Sequence, residues 1–253
     1  MTGAAFLPGS KEDPGVRAVA ARALELVHDG ARIGLGSGRA AMLFLDGLAA
    51  RVRDGLRVSA VPTSLAVANA AMQAGIPLIE LGTGGLLDLT VDGADEVTPW
   101  LDLVKGWGGA LVRERIVATC SARQIILVSE HKLVRRLGER GHVPVEIIPL
   151  AAWLVTRELT ALDIVPTRRL QADSEKPFVT DNGNWIVDCV LSEPLADTNS
   201  AQHLQSAICA ITGVVDTGLF LGTASMVLVG HTDGRVDVHS HAPASKTRHE
   251  ATP

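Results

Sequence analysis

The sequence has few cysteines, and the three that it contains do not lie at a paired spacing. Cys120, Cys189 and Cys209 each fall within an apolar stretch. Because disulfide frameworks and zinc sites place cysteines in closely spaced sets, this pattern favours buried thiols in a reducing compartment. The eight histidines form no metal-ligand spacing either. We therefore expect no metal site, no disulfide framework and a cytoplasmic location.

Positive charge and long apolar runs are also missing. The 253 residues carry a formal net charge of −5, so the chain lacks the basic surface typical of nucleic-acid binding. Apolar residues make up 47% of the chain, but no run of them is long enough to span a bilayer. Residues 1–14 lack the positive-then-apolar order of a signal peptide and are predicted to form a short disordered lead. Neither a nucleic acid nor a membrane is an expected partner.

The first half of the chain alternates predicted strands with predicted helices. The strands are expected at 32–35, 57–61, 76–81, 87–91 and 124–129, and the helices at 16–27, at 40–50 and from Thr63 or Ser64 to about residue 74. Such alternation is typical of an α/β fold in which helices cover both faces of a mostly parallel, Rossmann-like sheet.

The pattern changes after Gly138. A strand at 144–149, a helix at 151–162, a hairpin around Asp181-Asn182-Gly183-Asn184 and a helix to Ile211 that Asp197 or Asn199 can cap predict a smaller α+β (ferredoxin-like) subdomain. Later apolar runs are predicted strands that return to the large domain. The predicted division is therefore a large catalytic domain at 15–140 plus 212–232, a small subdomain at 141–211, and peripheral tails at 1–14 and 233–253.

The stretch Leu87–Ile116 carries the strongest indication of chemistry. One β-capable run ends in Asp92-Gly93-Ala94-Asp95-Glu96. A second ends in Lys105-Gly106-Trp107-Gly108-Gly109 and continues into a helix. Open α/β sheets bind ligands where strand ends meet glycine-rich turns, and a helix N-terminus attracts anions there. This stretch is the predicted centre of the active site.

Glu114 lies in the apolar stripe of the helix that follows, among Ala110, Leu111, Val117 and Ala118. A carboxylate that loses solvation among apolar neighbours becomes a better proton acceptor near neutral pH. On spacing alone, a surface glutamate paired with its two flanking arginines is at least as good an interpretation. The acidic and basic residues at the nearby strand ends favour a functional role.

A second glycine-rich turn, Gly36-Ser37-Gly38-Arg39, joins a strand to a helix. Backbone N–H groups of such a turn can cradle a phosphate or a carboxylate. The spacing is not the dinucleotide pattern Gly-x-Gly-x-x-Gly, so a small anion is favoured over NAD. Tight packing of the turn is an equally good explanation of its glycines.

The motifs, in their order along the chain, resemble the A-type family of ribose-5-phosphate isomerases over about residues 16–230. No single motif carries the resemblance, and the combination does. The motifs are Gly34-Leu35-Gly36-Ser37-Gly38, Val91-Asp92-Gly93-Ala94-Asp95-Glu96, Lys105-Gly106-Trp107-Gly108-Gly109-Ala110-Leu111-Val112-Arg113-Glu114, Ser129-Glu130-His131-Lys132-Leu133-Val134, Pro144-Val145-Glu146-Ile147-Ile148-Pro149, Thr180-Asp181-Asn182-Gly183-Asn184, and Gly213-Val214-Val215 followed by Gly218-Leu219-Phe220.

The resemblance implies a metal-free, cofactor-free aldose–ketose isomerase of the pentose phosphate pathway that interconverts ribose 5-phosphate and ribulose 5-phosphate through an enediolate. By it, Glu114 shuttles a proton between C1 and C2, Asp92 and Asp95 bind sugar hydroxyls and assist ring opening, and Lys105 and Lys132 supply positive charge. Independently of any family, proton abstraction beside a carbonyl requires a base and an electrophile for the oxyanion. The further substrate-binding set is Ser37, Gly38, Arg39, Ala40, Gly93, Ala94, Gly106, Trp107, Gly108 and Lys132.

Simpler roles exist for several of these residues. Lys105 and Lys132 could be solvated surface amines, which is the commoner fate of a lysine. Asp92 could be an ordinary turn residue beside Gly93. The resemblance favours the functional interpretation of Asp92, Asp95 and Glu114.

The sequence departs from the family's pattern where the phosphate end of the substrate would lie. The family's glycine loop usually continues Thr-Gly-Ser-Thr, whereas this chain has Ser37-Gly38-Arg39-Ala40. Val16 stands where the family commonly has lysine, Trp107 interrupts the run of glycines, and Ala224-Ser225 replaces an Ala-Asp pair. The residues proposed for proton transfer are retained.

Two interpretations of these departures stay open. Arg39 can replace the missing donors with a bidentate phosphate contact and leave the substrate unchanged. Alternatively, the pocket is rebuilt for a different sugar phosphate or pentose derivative, with Trp107 filling or stacking over part of it; Trp107 could also point away into an interface. A non-enzymatic sugar-phosphate-binding protein is less favoured because Glu114 is retained. The resemblance also implies a homodimer or homotetramer.

Overall fold

A computed structural model describes residues 13–240 of the chain. The helices of this region are α1 (Pro14–Leu24), α2 (Arg39–Arg53), α3 (Leu65–Gln73), α4 (Leu111–Thr119), α5 (Ala152–Ala161) and α6 (Thr198–Cys209). The strands are β1 (Ala31–Leu35), β2 (Val58–Pro62), β3 (Leu89–Gly93), β4 (Glu96–Val97), β5 (Leu103–Val104), β6 (Gln124–Ser129), β7 (Val143–Ile147), β8 (Ile164–Arg168), β9 (Trp185–Leu191), β10 (Val214–Thr217), β11 (Leu219–Phe220), β12 (Met226–Gly230) and β13 (Val236–Ser240).

The largest sheet has six strands in the order β13-β12-β6-β3-β1-β2, parallel except for β13 at the edge. All of β6 is buried, as expected for a strand covered on both faces. Ile125 and Leu127 belong to the core formed with α1 and α2, while Ile126 and Val128 pack with Leu111 of α4 on the opposite face. The chain leaves β1 for β2 on one side and returns to β3 on the other. The crevice between β1 and β3 is therefore the topological switch point, where α/β sheets bind ligands.

A second sheet has four antiparallel strands in the order β10-β7-β9-β8. Its strands and helices follow one another as β7-α5-β8-β9-α6-β10, which is the β-α-β-β-α-β succession of a ferredoxin-like unit. Val155 and Leu159 of α5 and Ile208 of α6 share one core with the buried residues of β7 and β9. The predicted α/β class, with a mostly parallel sheet and a smaller ferredoxin-like unit, is confirmed.

A short three-stranded antiparallel sheet, β11-β5-β4, lies between the other two. The strands β4 and β5 of this sheet contain most of the segment from Glu96 to Lys105. The backbone N–H of Lys105 donates to Gly218 O at 2.9 Å. Leu103, Val104 and Phe220 are fully buried here. The sheet therefore anchors Lys105 next to the carboxyl end of β3.

Polar side chains begin two helices where the sequence predicts them. Ser64 accepts a hydrogen bond from Val67 N at 3.1 Å at the start of α3, and Asp197 accepts one from Ser200 N at 2.8 Å at the start of α6. Asp13 caps α1 through Gly15 N, and Pro14 occupies the first helical position, where its missing N–H costs nothing. Residues 13 and 14, assigned to a disordered lead, instead open a helix.

One predicted strand is wrong, and one observed strand was not predicted. Residues 76–81 form no strand: only Leu78 bridges to Ala60, since Pro77 lacks a donor and the chain then turns into solvent. The strand β8 was missed because only Ile164 among its residues is buried, so the sequence lacks the alternation of a half-buried strand.

The end of the described chain also differs from expectation. Val214–Thr217 pairs with β7 in the four-stranded sheet rather than with the large sheet. Residues 236–240 were assigned to a peripheral tail, but they form β13, beside which the His231 imidazole lies 2.9 Å from Glu130 Oε2 and 2.8 Å from Asp237 Oδ2. The remaining parts of the predicted tails, 1–12 and 241–253, lie outside the described residues, and the domain boundaries stay a prediction.

None of the helices within residues 13–240 has both the length and the apolar composition that crossing a membrane requires.

Candidate active site

A cavity of about 350 Å³ opens at the carboxyl ends of β1, β3 and β6. Parallel strands bring their carboxyl ends to one edge, so the loops after them converge there. The lining residues are Val16, Ser37, Gly38, Arg39, Ala40, Asp92, Gly93, Ala94, Asp95, Lys105, Gly106, Gly108, Glu114, Leu127, Val128, Ser129, His131 and Lys132. The structure thus brings together every residue of the predicted site except the Trp107 side chain.

Three buried charges form the floor of this cavity. Lys105 Nζ lies 3.0 Å from Asp92 Oδ2 and 3.2 Å from Glu114 Oε2, and all three side chains are at most 5% exposed. Lys105 also donates to Gly93 O at 2.5 Å. One ammonium between two carboxylates partly offsets the desolvation of all three groups, which is otherwise costly. The interpretation of Lys105 as a solvated surface amine does not hold.

Asp92 is fixed by backbone donors from two loops. Its Oδ1 accepts from Ser37 N at 3.0 Å and from Gly93 N at 2.7 Å. A Cβ at Gly36 would lie 2.2 Å from the Asp92 carboxyl carbon, so the glycine turn after β1 admits this close approach. Burial and the neighbouring charge of Glu114 raise the pKa of Asp92 from 3.8 to about 7, although Lys105 opposes the rise. Asp92 can therefore exchange a proton near neutral pH.

Lys105 remains charged in this setting. Burial lowers its pKa, but the negative charges of Asp92 and Glu114 outweigh burial, and the net shift is upward. A permanently protonated amine at the cavity floor is suited to stabilising a developing oxyanion and unsuited to serving as a base. The structure thus separates the electrophile from the candidate bases.

Glu114 is placed in the first turn of α4, with its side chain directed into the cavity. Ser37 Oγ donates to Glu114 Oε1 at 2.6 Å, which links the glycine turn after β1 to α4. The other oxygen, Oε2, is buried and accepts no hydrogen bond from any described residue. One oxygen is thus held by Ser37, and the other faces the Lys105 ammonium at 3.2 Å. The interpretation of Glu114 as a surface residue does not hold.

Asp95 lies at the rim of the floor. Burial raises its pKa, although a hydrogen bond from Trp107 N at 3.0 Å and the charges of Lys105 and Lys132 act against the rise. Lys132 Nζ is 3.7 Å from Asp95 Oδ1. Asp95 therefore joins the turn after β5 to the segment after β6.

The opposite end of the cavity is positive. Arg39, His131 and Lys132 line it, and Arg39 begins α2 after Gly38, whose φ is +87°. Since no described side chain caps α2, its first N–H groups face the cavity end without a partner side chain. Burial lowers the pKa of Lys132, and the charges of Arg140 and Arg39 act in the same direction. The positive end has the character of an anion site.

Trp107 does not stack over the cavity. Its indole Nε1 donates to His142 O at 3.0 Å, and its ring stacks on the His142 imidazole with centroids 5.1 Å apart. Lys132 Nζ lies 5.1 Å from the centre of the indole ring. The position of Trp107 therefore does not support the interpretation in which it fills the substrate pocket. Its indole instead joins the turn after Lys105 to His142, outside the cavity.

Several residues at or near the site were not predicted from the sequence. Ser129 and His131 line the cavity and belong to the motif at 129–134. Of that motif, only Lys132 was predicted to bind the substrate. Arg169 lies outside the cavity, yet it donates to Gly106 O and Trp107 O. It comes from the small unit, and no local signal in the sequence points to that contact. Ser225, part of an altered pair, accepts from Gln124 N instead of lining the cavity.

The fold and the cavity define the class of the protein: an α/β enzyme with an acid–base site at the switch point of its sheet. A family model for ribose 5-phosphate isomerase A (phosphoriboisomerase A) matches residues 59–234. A ribose-5-phosphate isomerase A of Roseiflexus castenholzii is 48% identical over 227 residues, which are 88% of this chain and 94% of that protein.

Solved structures agree with the sequence relatives. Ribose 5-phosphate isomerase A from Methanocaldococcus jannaschii superposes with a TM-score of 0.84 at 39% identity, covering 91% of this chain and all of that one. A D-ribose-5-phosphate isomerase in complex with phospho-erythronic acid has a TM-score of 0.85 at 33% identity, covering 92% of this chain and all of that one. The chain belongs to the ribose 5-phosphate isomerase A family. The resemblance and the aldose–ketose isomerase class are confirmed.

Proposed function

We propose that the chain interconverts ribose 5-phosphate and ribulose 5-phosphate through an enediolate, with Glu114 as the base. The observation that carries the proposal is the second, buried oxygen of Glu114, which accepts no hydrogen bond from a described residue and lies 3.2 Å from the Lys105 ammonium. A base and an electrophile side by side are what proton abstraction next to a carbonyl requires.

The proposed isomerisation requires no added reactant. Glu114 takes the proton from C2 of the open-chain aldose, the C–H electron pair forms the C1=C2 double bond, and negative charge develops on O1 beside Lys105. Protonated Glu114 then returns the proton to C1 while the carbonyl forms at C2. Transfer of the remaining proton from O2 to O1 requires a group that ionises near neutral pH, and Asp92, with a pKa of about 7, fits that role.

Ring opening uses the same pair of aspartates in this proposal. The hydroxyl at C1 must lose a proton, and the ring oxygen must gain one. Asp92 at the floor and Asp95 at the rim both have raised pKa values because of burial. Each can therefore accept a proton from one sugar oxygen and return it to another.

The phosphate is proposed to bind at the positive end, against Arg39, Lys132 and the first N–H groups of α2. Phospho-erythronic acid, held by a solved relative, carries a carboxylate at one end and a phosphate at the other. By analogy, the carboxylate end would meet Lys105 and the phosphate end would meet Arg39. In this assignment the departure at Arg39 preserves phosphate binding.

The direct test is a coupled assay of the purified enzyme on ribose 5-phosphate in the presence of a chelator. Arabinose 5-phosphate, allose 6-phosphate and unphosphorylated ribose provide the comparison. We expect preferred conversion of ribose 5-phosphate without added metal. A folded enzyme that converts another of these sugars instead would replace this proposal with a redirected pocket, which the altered residues Val16, Arg39 and Ala40 would then explain.

Asp92→Asn is expected to lower kcat by about 100-fold and to alter the pH dependence of stability. Burial raises the pKa of Asp92 in the folded protein from 3.8 to about 7. As pH rises between those values, the unfolded wild-type protein loses this proton before the folded one, so the free energy of unfolding falls. Asparagine does not titrate, so the stability of the variant relative to wild type should improve over the same range.

Urea unfolding at a series of pH values measures that slope, and loss of the Lys105 ion pair contributes an offset. Asp88→Asn is the matched control for activity, since Asp88 accepts from Arg32 N at the other end of β3. A flat difference in stability across this range would mean that Asp92 does not ionise as proposed.

Arg39→Ala is expected to raise KM for ribose 5-phosphate by about tenfold or more while kcat changes little, because one charged phosphate contact is lost at a site remote from C1 and C2. Arg53→Ala, at the exposed far end of α2, is the control with the same change of charge. An unchanged KM in Arg39→Ala would remove Arg39 from the phosphate site.

We further propose a cytoplasmic location and a homo-oligomeric assembly. The free thiols of Cys120, Cys189 and Cys209 suit the reducing cytoplasm, although Cys189 alone is buried as expected, while Cys120 is half-buried and Cys209 is exposed. A homodimer or homotetramer is proposed from the family, and light scattering of the purified protein measures it.

A further inference from the structure

A glycine turn separates the two reacting groups of the site along the chain. Residues 106–109 follow Lys105 and lead into α4, which carries Glu114; Gly109 N closes the turn on Gly106 O at 3.0 Å. Gly106 and Gly109 have φ values of +103° and +86°, which glycine adopts readily. Because such a turn has many accessible conformations in isolation, its geometry depends on contacts from outside.

Arg169, just after β8 in the ferredoxin-like unit, supplies such contacts. Its Nη1 donates to Gly106 O and to Trp107 O, both at 3.0 Å. The rest of the guanidinium forms a two-pronged ion pair with Asp188 of β9, with Nε 2.9 Å from Oδ2. The Arg169 side chain is only 13% exposed. Charge-assisted, two-pronged bonds of this kind are short and directional, so the guanidinium is held on one side and holds the turn on the other.

His142 and Trp107 extend the same network. His142 Nε2 lies 3.1 Å from Asp188 Oδ1, and the imidazole stacks on the Trp107 indole. Hydrogen bonds from His142 and Arg169 lower the pKa of Asp188 despite its burial, so this carboxylate stays charged as the anchor. Phe178 closes the far side, because its ring occupies the space where a Cβ at Gly109 would lie.

We propose that Arg169 is a positioning residue for catalysis, which sets the separation between Lys105 and Glu114 by clamping the turn that joins them. The inference rests on the proposed function and extends it to a residue outside the cavity. Arg169 contacts none of the three buried charges, and among the residues that line the cavity it meets Gly106 through the backbone oxygen. Its effect therefore passes through the backbone of the turn. A displacement on the order of 1 Å between reacting groups can lower a rate by about 100-fold.

The same displacement has a signature that does not depend on turnover. The charges that face Asp92 are Lys105 and Glu114, and Lys105 is the one that lowers the pKa of Asp92. If release of the turn moves the ammonium away, the pKa of Asp92 must rise above its wild-type value. A residue that merely stabilises the fold would leave the pKa of Asp92 unchanged in the folded protein.

The experiment combines kinetics with carbon-13 NMR titration of the Asp92 carboxyl, assigned by its absence in Asp92→Asn. In Arg169→Met we expect kcat to fall by about 10- to 100-fold, KM to change by less than about threefold, and the pKa of Asp92 to rise. Arg169→Lys keeps the charge but cannot form the same fork, and an intermediate effect is expected. Arg169→Lys also tests the inference if Arg169→Met does not fold.

Leu159→Ala is the control for general destabilisation, since Leu159 is a fully buried residue of α5 in the core of the ferredoxin-like unit. It should lower the melting temperature without moving the pKa of Asp92. An unshifted Asp92 titration in both Arg169 variants would overturn the inference even if the enzyme isomerises ribose 5-phosphate. Loss of the proposed function would show separately, as a wild-type protein inactive on that sugar.

Discussion

Glu114→Gln should reduce kcat by about 1,000-fold while leaving the affinity for a non-reacting substrate analogue nearly unchanged. The amide has almost the same shape as the carboxylate, and its oxygen can still accept the hydrogen bond from Ser37 Oγ. It cannot accept the proton from C2, because a neutral amide is a very weak base. The substitution therefore removes the chemistry and keeps most of the cavity.

Two measurements separate binding from catalysis in this variant. Calorimetric titration with phospho-erythronic acid should give a dissociation constant within about threefold of wild type, while the coupled assay gives kcat. Exchange of deuterium between C2 and solvent should disappear together with turnover. Glu158→Gln, at a half-exposed position of α5 where Glu158 pairs with Arg157, provides a control with the same change of charge. Turnover close to wild type in Glu114→Gln would rule out this residue as the base.

The location of the site followed from local patterns in the sequence. A strand that ends in Asp92-Gly93, a glycine turn at Gly36, and a helix opening after Gly109 all place polar groups at strand ends. Parallel strands then bring those ends together without further information. The strand β6, with its apolar run at 125–128, and a polar cap at the start of α6 were predicted for the same reason: each depends on neighbouring residues only.

The contacts that make the site reactive could not be predicted in this way. Ser37 and Glu114 are 77 positions apart, and Arg169 reaches the turn after Lys105 from another sheet. Which side chains meet across such distances depends on how the sheets pack, and no periodicity records it. The indole of Trp107 shows the same limit, since bulk beside the catalytic loop was compatible with a position inside or outside the cavity.

Lys105→Met is expected to impair both activity and stability. Removing the group that stabilises the oxyanion should lower kcat by about 100- to 1,000-fold. Removing the ammonium also leaves Asp92 and Glu114 buried together without a counter-charge, which should cost about 3–5 kcal/mol of unfolding free energy near neutral pH. Lys176→Met, at an exposed position, is the control.

The loss of stability should depend on pH in a defined direction. Without Lys105 the pKa of Asp92 must rise further above 7, because the ammonium is the charge that lowers it. A folded-state pKa raised above the unfolded value adds stability at low pH that is lost as pH rises through it, so the deficit should be smaller at about pH 5 than at about pH 8. Urea unfolding of both proteins at these two values measures the change.

A double variant separates the two roles of Lys105. Combining Lys105→Met with Asp92→Asn removes one of the two uncompensated carboxylates, so most of the lost unfolding free energy should return. Turnover should stay far below that of the Asp92→Asn single variant, since no electrophile remains beside O1. Turnover equal to that of Asp92→Asn, along with recovered stability, would show that Lys105 acts only as a counter-charge. A deficit that persists in the double variant would mean that the ammonium supports the turn through Gly93 O rather than through the carboxylates.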